Sequence, residues 1–301
     1  MRRKVIQLAG KTFVISLPTS WVKQYNIKKG EEVDVTEKGP MLEIISPKNQ
    51  KPKEIFSIDT GKINYYENYI DYLYQSGIDE VEIKLQNPEM VKGIQHAIDS
   101  LLGFEIVDKG QSYCIIRNVS IPSKEEFNPI LRRTYLHLKE MSLLTISQLE
   151  KRNEEDLGII VQMEKTNNKF TDFLKRILNK EGTEDPVKTT YLYCVARDLE
   201  RVADEYRFVA KLLLSSQKQP SKEIINGYLR LHDYLSFTYE LFYDFKKDKI
   251  DRFYKTQKEV QAVISELFKL KDFDVRLAHH AFSIERQLTE MMGPIFLLNM
   301  R

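Results

Sequence analysis

Cysteine is nearly absent. Cys114 and Cys194 are the only two in 301 residues, too few for a disulfide framework, and their apolar neighbours Tyr113, Ile115, Tyr193 and Val195 mark both as buried free thiols. Glycine (12) and proline (10) are scarce as well, which excludes collagen-like and low-complexity chains. A phosphate-cradling glycine loop is missing, as is a catalytic triad, so no reaction is expected. No apolar run approaches the roughly 20 residues that cross a bilayer. Met1-Arg2-Arg3-Lys4 is not followed by the apolar stretch of a signal peptide, so a cytoplasmic chain without membrane insertion is expected. His96, His137, His232, His279 and His280 form no ligand spacing with cysteine, and no Glu-x-x-His of the di-iron bundles occurs.

Acid is missing from the front of the chain. Before Glu31 every charged side chain is basic: Arg2, Arg3, Lys4, Lys11, Lys23, Lys28 and Lys29. Clustered cations of this kind displace counterions from phosphates, so the segment is a candidate polyanion surface.

What is present divides into three stretches. Residues 1–47 alternate with period two in short pieces: Phe13, Ile15 and Leu17, then Val33 and Val35, then Leu42 and Ile44. Gly10-Lys11, Lys29-Gly30 and Lys38-Gly39-Pro40 supply turns, and Pro18-Thr19-Ser20-Trp21 opens one short helix ending near Asn26. Four short strands and a helical turn hide too little apolar surface to stand alone, so pairing with a second copy is expected. Pro47 to Pro52 reads as a linker. Residues 56–119 read as a small α/β connector: a helix ending at Gly77, a strand at Val81, Ile83 and Leu85, a helix opened by Asn87-Pro88 and stopped by Gly103, and strands at Phe104–Asp108 and Ser112–Val119. Residues 124–301 are helical. Breaks near Arg152-Asn153, Gly182–Pro186, Pro220-Ser221, Lys247–Lys249 and Lys271–Asp274 leave six helices of comparable length, expected as two three-helix bundles in tandem. The fold class is therefore multidomain α+β.

Gly10-Lys11-Thr12-Phe13-Val14-Ile15-Ser16-Leu17-Pro18, Trp21 and Ile27-Lys28-Lys29-Gly30-Glu31-Glu32-Val33-Asp34-Val35 span nearly the whole first stretch. They resemble the AbrB/SpoVT family of swapped-hairpin DNA-binding domains. The resemblance implies a homodimer on double-stranded DNA, with Arg2, Arg3, Lys4 and Lys11 facing the duplex and Lys23 as a further contact.

In the helical stretch, Glu200 and Asp204 are four apart and leave one helix face, as two hard oxygen ligands of one cation would. Glu164 and Asn168 stand at the same spacing on the preceding helix. A network in which Arg197, Arg201 and Arg207 neutralise the acids is the alternative. Leu199-Glu200-Arg201-Val202-Ala203-Asp204-Glu205 resembles the signature helix of the PhoU phosphate-uptake regulators. The resemblance implies a divalent or iron-type metal ion on Glu200, Asp204, Glu164 and Asn168, and a phosphate transporter ATPase or signalling protein as a partner. Ile284-Glu285-Arg286-Gln287-Leu288-Thr289 echoes the motif with threonine in place of the aspartate.

Head, connector and body together resemble the archaeal-type fusion of an AbrB-like domain to a PhoU domain. A transcriptional regulator of phosphate uptake is the function this implies. The alternative is a signalling adaptor that acts on a transporter or sensor kinase and uses the head for dimerisation only.

Overall fold

A computed structural model describes residues 2–38, 41–46, 55–120, 124–183 and 185–300. The Lys38-Gly39-Pro40 turn and the Pro47–Pro52 linker lie wholly or partly outside them. The chain divides into two compact units, residues 1–55 and 56–301.

The first unit holds two separate antiparallel ladders, β1 (Ile6–Leu8) with β2 (Thr12–Val14) and β3 (Asp34–Lys38) with β4 (Met41–Ile45), and a short helix α1 (Thr19–Gln24). Ile6 stands opposite Val14 and Leu8 opposite Thr12. Gly10 turns the first hairpin at φ +73°, a conformation that costs a residue without Cβ little. The expected strand through Leu17 ends at Val14, because Ile15 to Leu17 find no pairing partner within one chain. Among the described residues no apolar side chain of this unit is buried: Val5, Ile6, Leu8, Phe13, Ile15, Val35, Met41, Leu42 and Ile45 are all exposed. One copy has strands but no core.

The second unit opens with a four-stranded sheet in the order β5-β6-β8-β7, made of β5 (Ile55–Asp59), β6 (Glu80–Lys84), β7 (Phe104–Lys109) and β8 (Tyr113–Asn118). Helices α2 (Tyr66–Gln75) and α3 (Met90–Ile98) contribute Ile70, Leu73, Tyr74, Ile94 and Ile98 to a core shared with Ile58, Val81, Ile83, Phe104, Cys114 and Ile116. Strand β5 is an element the periodicity did not mark. At the start of α3, Asn87 offers its backbone carbonyl to the Met90 N–H (3.3 Å), and Glu89 takes the cap position expected for Asn87.

Seven helices follow: α4 (Phe127–Glu150), α5 (Glu154–Lys180), α6 (Pro186–Leu214), α7 (Lys222–Tyr243), α8 (Asp248–Leu267), α9 (Asp272–Glu290) and a short α10 (Met292–Asn299). Helices α4, α5 and α6 pack mutually, as do α7, α8 and α9, and the two triplets meet along α6–α9 and α4–α7. The starts obey local chemistry. Asn153 accepts from the N–H of Glu155 at 2.8 Å, Asp185 accepts from Val187 at 3.0 Å with Pro186 at the first turn, and Ser221 accepts from Ile224 at 3.4 Å. The seventh helix departs from the expected six: the chain breaks after Glu290 and resumes at Met292, just ahead of Gly293-Pro294. Cys114 is buried as expected, whereas Cys194 is only half-buried. No helix among the described residues is long and apolar enough to cross a membrane.

The sheet layer is pinned to the bundle by Arg176 of α5. This side chain is wholly buried and donates to the carbonyls of Tyr74 (2.7 Å) and Ile78 (2.8 Å) and to Asp79, while its plane lies 4.8 Å from the Tyr74 ring centre. Lys180 adds two bonds to Asp79 at 2.6 Å. A buried guanidinium needs such acceptors, because an unpaired charge there would be severely destabilising; Nε alone has none.

Candidate nucleic-acid interface and the acidic helix pair

Arg2, Arg3 and Lys4 are exposed and lie just ahead of β1; Lys11 is exposed beside the hairpin turn, and Lys23 is exposed on α1. None of the five is held in an ion pair among the described residues, so each keeps its charge available. Within one copy they do not form a single cluster. The hairpin puts Lys11 at its closed end and Arg2 to Lys4 beyond its open end, separated by about 13 Å at the usual rise of roughly 3.3 Å per strand residue.

The acids of the helical body are paired with cations and hydroxyls of the chain itself. Glu200 accepts from Lys175 Nζ and from Thr171 Oγ1 at 3.3 Å, both on α5. Asp204, one turn further along α6, accepts instead from Arg207 Nη2 at 2.7 Å. Glu164 pairs with Arg207 Nε at 3.1 Å and accepts from Asn168 Nδ2 at 2.8 Å. Arg207 thus sits between Glu164 and Asp204, and Lys175 between Glu200 and Asp172, whose Oδ1 lies 3.3 Å from its Nζ.

Among the described residues, no three carboxylate, imidazole or thiolate groups converge on a point a metal could take. Glu200 thus stands with Lys175 and Thr171, while Asp204 and Glu164 share Arg207 and Asn168 bonds Glu164. The spacing placed the acids on one face, and the chain's own Lys175 and Arg207 pair with them. In the motif's echo, Glu285 is buried and accepts from Gln261 (3.0 Å) and Thr289 (2.8 Å).

Spacing alone could not reveal that Asp71, on α2, would join this neighbourhood. Asp71, Asp172 and Asn168 line a groove of about 650 Å³ between α2, α3 and α5. Burial, with Glu67 and Glu200 nearby, pushes the Asp71 carboxyl up to about 6. Burial likewise raises Asp172 to about 7, Lys175 opposing and Glu200 and Asp71 reinforcing the rise. Glu164 is raised by burial and by Asp204, against the pull of Arg207 and Asn168. These directions describe carboxylates short of cations, with Lys175 shared between Asp172 and Glu200.

The paired histidines divide as their neighbours dictate. His280 Nδ1 meets Glu205 Oε2 at 2.6 Å, while His279 is exposed.

The head is a unit of two hairpins with exposed cations and, among the described residues, no buried apolar side chain. Comparison with known families places it: a family profile described as "Antidote-toxin recognition MazE, bacterial antitoxin" matches residues 6–53. The head is thus of the MazE/AbrB-like class, and the match ends before the sheet layer begins. No curated protein matches the chain.

Proposed function

We propose that the protein is a DNA-binding transcriptional regulator, a binding protein without catalytic activity. Two heads pair, each supplying the other's missing core, and the pair presents Arg2, Arg3, Lys4, Lys11 and Lys23 to the phosphates of a duplex. The observation that carries this reading is that, among the described residues, one-signed, unpaired charge coincides with a MazE/AbrB-like unit that buries no apolar side chain of its own. The helical body receives the signal. Phosphate supply is the signal that the Leu199–Glu205 motif supports, with a transporter ATPase or signalling protein as the partner class.

The test is a titration of the full chain against duplex fragments of its own promoter region at two salt concentrations. Affinity is expected to fall with salt at about 0.9 logarithmic units per phosphate contacted. Replacing Arg2, Arg3 and Lys4 with glutamate is expected to abolish binding and leave the melting temperature of the helical body unchanged. Salt-independent binding, or none by the parent chain, would overturn the reading in favour of an adaptor whose head serves dimerisation only.

A further inference from the structure

The two copies of the Glu-Arg motif, Glu200-Arg201 on α6 and Glu285-Arg286 on α9, send their glutamates to different neighbours, one to Lys175 and Thr171, the other to Gln261 and Thr289. Their arginines do the opposite. One residue on, each side chain is turned by about 100° around its helix, and because α6 packs against α9, Arg201 and Arg286 line the same cavity of about 270 Å³. His279, Ser283, Gln287 and Glu290 complete its polar lining.

The charges there are unequal. Arg201 has Asp198 Oδ1 only at 4.0 Å, and that oxygen is already bound by Arg197 through Nε (2.9 Å) and Nη2 (2.8 Å). Arg286 meets Glu290 at 3.1 Å in an exposed pair of the kind that contributes little. Two guanidinium groups and an imidazole thus face one carboxylate. Guanidinium groups recognise tetrahedral oxyanions through planar, charge-assisted hydrogen bonds.

Gln287 adds a second requirement. Its Oε1 is buried without a hydrogen-bond donor, although its Nε2 reaches Ser283 Oγ at 3.4 Å. Once its amide turns toward the cavity that Gln287 lines, such an acceptor favours an anion that carries a proton. Inorganic phosphate retains one at neutral pH, whereas sulfate has none and a phosphate monoester, with its second pKa near 6, has mostly lost it.

We propose that the cavity between α6 and α9 is a binding site for inorganic phosphate, held by Arg201 and Arg286 and selected through its proton by Gln287. The site stands on these side chains and not on the regulator reading; its test involves no DNA. Calorimetric titration of inorganic phosphate into the full chain, at neutral pH and constant ionic strength, is expected to show saturable binding of one ion per chain. Sulfate and glycerol phosphate in parallel titrations are expected to bind about tenfold more weakly, the value of one hydrogen bond to a charged group. Arg201→Gln and Arg286→Gln should each weaken phosphate by about tenfold or more, and Gln287→Leu should bring phosphate down to the level of sulfate. Heats that do not saturate would overturn the site. So would phosphate binding that persists in a folded Arg201→Gln/Arg286→Gln double variant, and parent affinity for sulfate equal to that for phosphate would remove the role of Gln287.

Discussion

Asp71 shows how a side chain with an unremarkable sequence context acquires a role from its surroundings. It reaches the α5–α6 acids from α2, where Asp172 and Glu200 share the Lys175 ammonium and Asp71 Oδ1 is buried without a hydrogen-bond partner. The folded-state carboxyl of Asp71 stands at about 6, above its ordinary 3.8. A carboxyl raised on folding binds its proton more tightly in the folded chain, so stability falls as pH rises from about 4 through 6 and levels off above. Asp71→Asn is expected to flatten that decline. At pH above about 7 it should stabilise residues 56–301 by on the order of 1 kcal/mol after solvent screening, measured as melting temperature against pH; a variant with the parent's slope would show that Asp71 is not the group responsible. Neither Asp71 nor Lys175 was legible in the sequence. The Glu200–Asp204 spacing was, but spacing along one helix carries no information about which cations a neighbouring helix brings to it.

At the scale of elements, legibility followed the locality of the forces. Helix starts at Asn153, Asp185-Pro186 and Ser221 are written in side chains that bond N–H groups two or three residues away, and these boundaries could be read directly. Strand β5 could not: Ile55 to Asp59 is fixed by pairing with β6, more than twenty residues on, where the Thr60 N–H donates to the Lys84 carbonyl at 3.1 Å. The end of the head's second strand was overestimated for the same reason, since alternation at Phe13, Ile15 and Leu17 marks an intended pairing that one chain does not supply. Gly103 is a local signal that also has a long-range purpose. It closes α3's segment at φ +84°, its carbonyl accepts from the Val119 N–H at 2.7 Å, and an added Cβ would lie 2.0 Å from Ser120 Oγ and 2.4 Å from Asn118 Oδ1. Gly103→Ala is expected to cost about 1–3 kcal/mol, from left-handed backbone and from displacing the strand that follows β8. Denaturant unfolding of the variant, with a midpoint equal to the parent's, would refute this.

The whole molecule is an incomplete unit joined to a complete one. Residues 56–301 have a continuous core from the sheet layer through both helix triplets, whereas residues 1–55 bury no apolar side chain among those described. Apolar area left in water forgoes roughly 25 cal/mol per Å², so Phe13 and Leu42, 69% and 60% exposed in one copy, are the side chains that pairing would reward most. On the proposed function, with Lys11 and the Arg2–Lys4 run at opposite ends of one hairpin, DNA affinity is coupled to that pairing. Replacing Phe13 and Leu42 together with serine leaves every basic residue in place and adds no charge. Sedimentation of this variant is expected to show a monomer, and its DNA affinity should fall with a salt slope about half that of the parent, since one copy releases half the counterions. The melting of residues 56–301 should stay where it was. A variant that sediments as the parent does, or a monomer with an undiminished slope, would mean that one head by itself gathers the cations and that pairing is not what builds the surface.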